Sequence, residues 1–314
     1  MTFSGGSGQA VTAGSRQAHR PAARPAALSR VLHEAVVTWR FVYRDLSSTV
    51  IPVWLFGGAA AVHHGLPPAS ALAAAGRSTV WALLYLYTFC VSNQISGVEE
   101  DRVNKPDRPL ASGAVTVAGA WLRWWAATAA FAVTGLLLGV PGWTFAWLAV
   151  TVLHNFAGWS RWGPAKNLCM VLGTIVQLAA AWTTAGPLDG TAWRWILAVS
   201  VIIGGAGMHV QDLRDMAGDR LAGRRTLPLL FGEDATRRHL AVVMAAMPLL
   251  LAPVLYAPEG EPLTAAVCAF FLATVCWRIA WRVIRLRGAG DDHRTYMLYT
   301  YMFCYVLLSG MFVL

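Results

Sequence analysis

Apolar residues in this chain are clumped into long stretches rather than alternating with polar ones. About 20 apolar residues in a row, at about 1.5 Å each, are enough to cross a bilayer as a helix. Nine such runs can be marked, roughly at 46–64, 76–96, 115–138, 141–159, 166–186, 190–211, 236–257, 262–283 and 295–314. Lipid offers no hydrogen bonds to a bare backbone, so spans of this kind must be helical. The pattern predicts an all-α integral membrane protein with no soluble domain of any size. Residues 28–45 (LSRVLHEAVVTWRFVYRD) mix Val, Trp and Phe with Arg and Glu, as an amphipathic helix lying in the interface would. Residues 1–27 are Ser, Gly, Ala, Arg and Pro without an apolar run, which predicts a disordered tail rather than a signal peptide. Residues 28–314 then make one membrane domain.

Composition agrees with this class: 56% of the residues are hydrophobic and 13% charged, against about 25% charged in soluble domains. The net charge of +9 does not point to nucleic acid, because the basic residues fall in short loops between the runs. With the N-terminus in the cytoplasm, all of the 25 Lys and Arg residues except Arg77 and Arg194 fall on that side. A wrong span count would scramble so strong an asymmetry. The expected setting is a bacterial cell membrane. The five cysteines lie in or beside apolar runs and form no C-x-x-C pair, so neither disulfides nor a zinc site is expected.

Charge is concentrated where the second and sixth runs end. The first of these segments reads Asn93-Gln94-Ile95-Ser96-Gly97-Val98-Glu99-Glu100-Asp101 and continues RVNKPDRPLASG. The second reads His209-Val210-Gln211-Asp212-Leu213-Arg214-Asp215-Met216-Ala217-Gly218-Asp219 and continues RLAGRRTLP. Asp212, Asp215 and Asp219 stand at i, i+3 and i+7 and share one helix face. On a continuous helix, Asn93, Glu100 and Asp101 fall within about a quarter turn of one another. Carboxylates crowded beside lipid need a cation. Mg²⁺ suits oxygen ligands and keeps positions open for phosphate. The expected metal set is therefore Asn93, Glu100, Asp101, Asp212, Asp215 and Asp219. Lys105, Arg108, Lys166 and Arg225 are placed to hold the outer oxygens of a diphosphate. Simple solvated loop charges would explain one such segment, but not two on the same side.

Together, N…EEDRVNKPDRPLASG and, about 110 residues on, DLRDMAGDRLAGRRTLPLLFG resemble the UbiA superfamily of intramembrane prenyltransferases. The resemblance covers the whole nine-helix region. It implies nine transmembrane helices around a central cavity, with the two motifs facing each other at its cytoplasmic mouth. It also implies Mg²⁺-dependent ionisation of a prenyl diphosphate, with Asn93, Asp101, Asp212, Asp215 and Asp219 as metal-binding and catalytic residues. The usual first motif of the transferases is N-D-x-x-D-x-x-x-D, whereas here Gln94 and Gly97 replace its two earlier Asp residues. That variant resembles the branch containing the membrane-bound UbiA-type terpene cyclases of bacteria and fungi.

Aromatic content fits a carbocation held in a dry cavity, since each aromatic face contributes about 0.5–2 kcal/mol of cation–π attraction. Tyr85 and Trp182 are the chosen lining residues, among candidates that include Trp81, Tyr87, Trp124, Phe156 and Tyr301. The polar His154, Asn155, Gln177 and His209 are expected to face the cavity rather than lipid, with His209 supporting the substrate site one turn before Asp212. The favoured reading is a cyclase that ionises farnesyl or geranylgeranyl diphosphate and closes its chain. A prenyltransferase acting on an aromatic or other acceptor is the alternative. A transporter or channel is disfavoured, because a permeation path needs polar groups through the midplane.

Overall fold

The residues at their ends explain where the helices start. A computed structural model describes residues 27–258 and 261–314; the tail expected over 1–27 lies, apart from Ala27, outside the described residues. The chain divides into a short unit ending at Val36 and a main unit, Val37–Leu314, which carries everything that follows. After α1 (Ala27–Val42) and a 3-10 turn (Tyr43–Ser48) come α2 (Val50–His63), α3 (Pro68–Ser96), α4 (Val98–Asn104), α5 (Val117–Leu137) and α6 (Pro141–Asn155). Next are α7 (Gly163–Thr183), α8 (Gly190–Ala198) with a π-helical continuation (Val199–Gly207), α9 (Val210–Leu221), α10 (Leu227–Phe231), α11 (Glu233–Leu255), α12 (Pro262–Arg285) and α13 (Ala289–Val313). Proline stands in the first turn of α3, α6, α7 and α12, where its missing N–H is no loss. Thr116, Asp189 and Glu261 cap α5, α8 and α12 by accepting from the N–H groups of Gly119, Ala192 and Thr264. There is no strand among the described residues.

All nine expected runs are helical. By length and composition, five helices can cross a membrane: α7, the α8–π segment, α11, α12 and α13; α2 qualifies only with the segment before it, across a 48° bend. The protein is integral to a membrane.

Two apolar cores meet at α7. Leu178, Ala179 and Trp182 face a core shared with α8, α11, α12 and α13. Cys169, Val176 and Ala180 face another, built on Trp81, Trp124, Phe131 and Trp147. The π segment carries the chain from the first core to the second motif. Its wider winding is the kind of irregularity often found beside sites. The Ile203 carbonyl accepts from the Tyr299 hydroxyl at 2.7 Å. Gly207 permits this approach, since a Cβ there would stand 2.6 Å from the Tyr299 ring.

One expectation about the first motif fails. α3 stops at Gly97, whose N–H closes on the Asn93 carbonyl, and α4 restarts at Val98. Glycine is a poor helix former, and it breaks here what the helical wheel assumed to be continuous. Asn93 and the pair Glu100–Asp101 thus lie on different helices.

Candidate active site

Asn104, at the end of α4, joins the two motifs. Its Oδ1 accepts from the Gly218 N–H of α9 at 3.1 Å, and its Nδ2 lies 3.4 Å from the Asp215 carbonyl. Gly218 makes room, because a Cβ there would come 2.1 Å from Asn104 Nδ2. The joined motifs form one end of a cavity of about 740 Å³. Asn93, Glu100, Lys105, Arg108, Lys166 and Asp215 line it, together with the aromatic rings of Tyr85, Phe89, Trp147 and Tyr296. Tyr85 and Trp147 stack with centroids 3.9 Å apart and planes 9° from parallel. The Tyr85 hydroxyl donates to the Gly173 carbonyl at 2.9 Å, and the Trp147 indole donates to the Tyr85 carbonyl at 2.9 Å.

Each acid of the expected metal set holds a cation. Asp101 accepts two bonds from Arg108, at 3.0 and 2.9 Å. Asp212 pairs with Lys166 at 2.7 Å and with His209 at 3.1 Å. Asp215 takes a forked pair from Arg214, at 2.8 and 2.9 Å. Arg224 spans both motifs, reaching Glu100 at 2.7 Å and Asp219 at 3.0 Å. Burial alone would raise the Asp215 carboxyl, but Lys105 and the Arg214 guanidinium outweigh it and hold the group well below the usual carboxylate range. Burial pulls the Lys105 amine below its ordinary value, although Asp215 opposes this.

Among the described residues no three His, Cys, Asp or Glu side chains converge on a common point, because the acids are spread over these cations. The donor set nonetheless fits a hard divalent ion. Every candidate ligand offers oxygen, and Asp219 keeps Oδ2 buried without a partner. For Asp219 to offer both oxygens, Arg224 must release one.

Three sequence-based assignments need correction. Trp182 does not line the cavity; it is fully buried, packs on Phe56 and donates to the Pro187 carbonyl at 3.0 Å. Arg225 is exposed, and its backbone rather than its side chain is engaged, with Arg161 and Gly163. Its neighbour Arg224 enters the site instead. His209 stands behind Asp212, bonded to Asn167 at 2.7 Å, and is not part of the cavity wall. Arg108, Lys105, Lys166 and Tyr85 do reach the wall. Sequence reasoning missed Trp147, Phe89 and Asn104. Arg214 carried a signal in standing directly before Asp215; Asn104 carried none. All five cysteines are free.

A family model described as the UbiA prenyltransferase family matches residues 49–307. A somaliensene A/B synthase from Streptomyces somaliensis is 39% identical over 90% of this chain and 95% of its own length. A diterpene cyclase from Hericium erinaceus is 37% identical over 88% of each chain. A polyprenyl transferase from the same fungus is 34% identical over 89% of this chain and 95% of its own. Among solved structures, a UbiA homolog from Archaeoglobus fulgidus bound to GPP and Mg²⁺ superposes with a TM-score of 0.61, at 16% identity over 87% of this chain and 99% of that one. Its likeness shows the fold. With a helical bundle of that shape and a family model spanning all but its ends, the chain belongs to the UbiA prenyltransferase family.

Proposed function

We propose that this protein is a Mg²⁺-dependent terpene cyclase of the membrane, acting on farnesyl or geranylgeranyl diphosphate. The observation that carries this reading is the two-part cavity: acids and cations from both motifs at one end, stacked Tyr85 and Trp147 along the wall. Its volume of about 740 Å³ suits a drug-sized ligand, for which sites of roughly 300–1,000 Å³ are usual. The names of two relatives, a synthase and a diterpene cyclase, point the same way. In this reading nine helices cross a bacterial cell membrane, and the N-terminus and motif loops are cytoplasmic. Segment 28–45 lies at the interface.

Asn93, Glu100, Asp101, Asp212, Asp215 and Asp219 would hold Mg²⁺, which supplies charge neutralisation for the departing diphosphate. Lys105 lines the cavity with no ion pair among the described residues, so its amine is free for the anion. With their acids on the metal, Lys166, Arg108 and Arg224 would be available to hold the diphosphate oxygens. Tyr85 and Trp147 present flat faces to the allylic cation while their polar atoms stay committed to backbone carbonyls. The chain's own double bonds then attack it in a space shielded from water.

Purified protein given Mg²⁺ and one prenyl diphosphate, without an acceptor, tests this. A cyclic terpene in the organic extract by gas chromatography–mass spectrometry supports the cyclase. A product formed only when an aromatic acceptor is added means the chain is a transferase, as the name of its 34%-identical fungal relative suggests.

A further inference from the structure

Carbocation chemistry must end by losing a proton or taking up a nucleophile, and one residue in the cavity wall is set up for the first. Arg108 sets the direction of a chain of hydrogen bonds, because a guanidinium only donates. Arg108 Nη1 lies 3.3 Å from Asn93 Oδ1, which is therefore the acceptor and fixes that amide. Asn93 Nδ2 then donates to Asn155 Oδ1 at 3.2 Å. Asn155 Nδ2 donates in turn to Ser92 Oγ at 2.7 Å, and the Ser92 hydroxyl donates to the Thr88 carbonyl at 2.9 Å. Asn155 Oδ1 is thus an acceptor on both counts. The His154 nitrogen 2.7 Å from it, Nδ1, must carry the proton. The Nε2 lone pair of His154 is left open. A metal ion on Asn93 Oδ1 in place of Arg108 would leave every bond in this chain pointing the same way.

His154 is buried and lines the cavity. Its ring packs on Phe89 at 5.2 Å, and Phe89 packs on Trp147 at 5.2 Å. The ring therefore lies where the aromatic wall meets the charged end, within reach of the Lys166 and Arg224 charges. The other bases on the wall are engaged, Asp45 in a 3.8 Å ion pair with Arg108. Glu100 and Asp215 are in ion pairs, and His293 Nδ1 faces the Arg214 guanidinium at 3.5 Å.

We propose that His154 is the catalytic base that ends the reaction, an inference that rests on the cyclase reading. In that step a C–H bond next to the cationic carbon breaks and its electron pair becomes the new C=C bond. The proton goes to His154 Nε2, which turns from neutral imidazole to imidazolium. It leaves with the diphosphate when the site opens. The product is a hydrocarbon with one hydrogen fewer than the cation.

The test measures diphosphate release and product composition separately, in wild-type protein and in His154→Gln, His154→Asn and Asn155→Leu. Asn155→Leu removes the acceptor that holds the proton on Nδ1. His154→Gln and His154→Asn are expected to go on releasing diphosphate, whereas Asn155→Leu, which also loosens the Asn93 amide, should lower release as well as redirect the product. The wild-type alkene should fall by about 100-fold or more relative to that release, in the range of a lost general base, with alcohols or other alkenes in its place. An unchanged product pattern in His154→Gln, or parallel loss of release and product in every variant, overturns the assignment while leaving the cyclase standing. A wild-type product that is an alcohol also overturns it. A wild-type protein with no cyclic product at all refutes the cyclase reading and this inference with it.

Discussion

If Glu100 and Asp219 hold Mg²⁺ as proposed, Arg224 competes with the metal for them, and its replacement should act in opposite directions on the empty and loaded protein. In Arg224→Gln, Glu100 and Asp219 lose a shared guanidinium at 2.7 and 3.0 Å. Both carboxylates are buried, at 8% and 0% side-chain exposure. Removing one partner of a buried ion pair costs about 3–5 kcal/mol. At roughly 2–4 °C per kcal/mol for a large domain, that lowers the metal-free Tm by on the order of 10 °C. Mg²⁺ should restore part of the loss, since ligand at about 100 times its Kd adds about 2.7 kcal/mol. The freed acids should also bind it more tightly than wild type does. The assay is thermal unfolding in detergent with EDTA and across a Mg²⁺ titration. The variant should show the lower starting Tm, the larger metal-induced rise and weaker turnover. Arg225→Gln is the control, its side chain being exposed, and should stay within about 0.5 kcal/mol of wild type. Equal metal-induced shifts in Arg224→Gln and wild type would refute the competition argument.

Asp212→Ala, Asp215→Ala and Asp219→Ala should each cut turnover more than about 100-fold, as should EDTA, because several kcal/mol of leaving-group stabilisation are lost; unchanged initial rates would remove the metal from the mechanism. Gly173→Ala would put a Cβ 2.5 Å from Trp147 and 3.0 Å from the Tyr85 hydroxyl, so it should displace the stacked pair. Turnover of geranylgeranyl diphosphate should then fall more than that of farnesyl diphosphate, and equal losses on both would show the pair does not set chain length. Cysteine labelling near Gly113 and Gly232 should report the same face of the membrane, opposite to Leu314; labels on opposite faces would separate the motifs and end the single-site reading.

What could be read from the sequence follows from what periodicity encodes. Helix positions were legible because apolar runs record length directly, with Pro141 and Pro262 at the starts of two of them, but α3 begins at Pro68, ahead of the run expected from 76. The second motif was legible because Asp212, Asp215 and Asp219 lie on one unbroken helix, α9. The first was only half so, since a helical wheel cannot show that the helix stops at Gly97. Arg224 and Arg225 are adjacent and chemically identical, and only the backbone pairing of Arg225 with Arg161 and Gly163 turns one in and the other out. Trp147 was overlooked and Trp182 chosen for a similar reason: an aromatic in a span does not say which side of its helix faces the cavity.

Under the proposed function, the closed ion pairs of the site would make substrate capture an ion exchange. Arg108, Lys166, Arg214 and Arg224 are neutralised by the very acids that a metal needs. A divalent cation arriving alone strands guanidinium groups, and a diphosphate arriving alone strands carboxylates. Arriving together, they take each other's counterions and leave no buried charge bare. Under the proposed function, metal and prenyl diphosphate would then be each other's positive effector, with the same coupling factor whichever binds first.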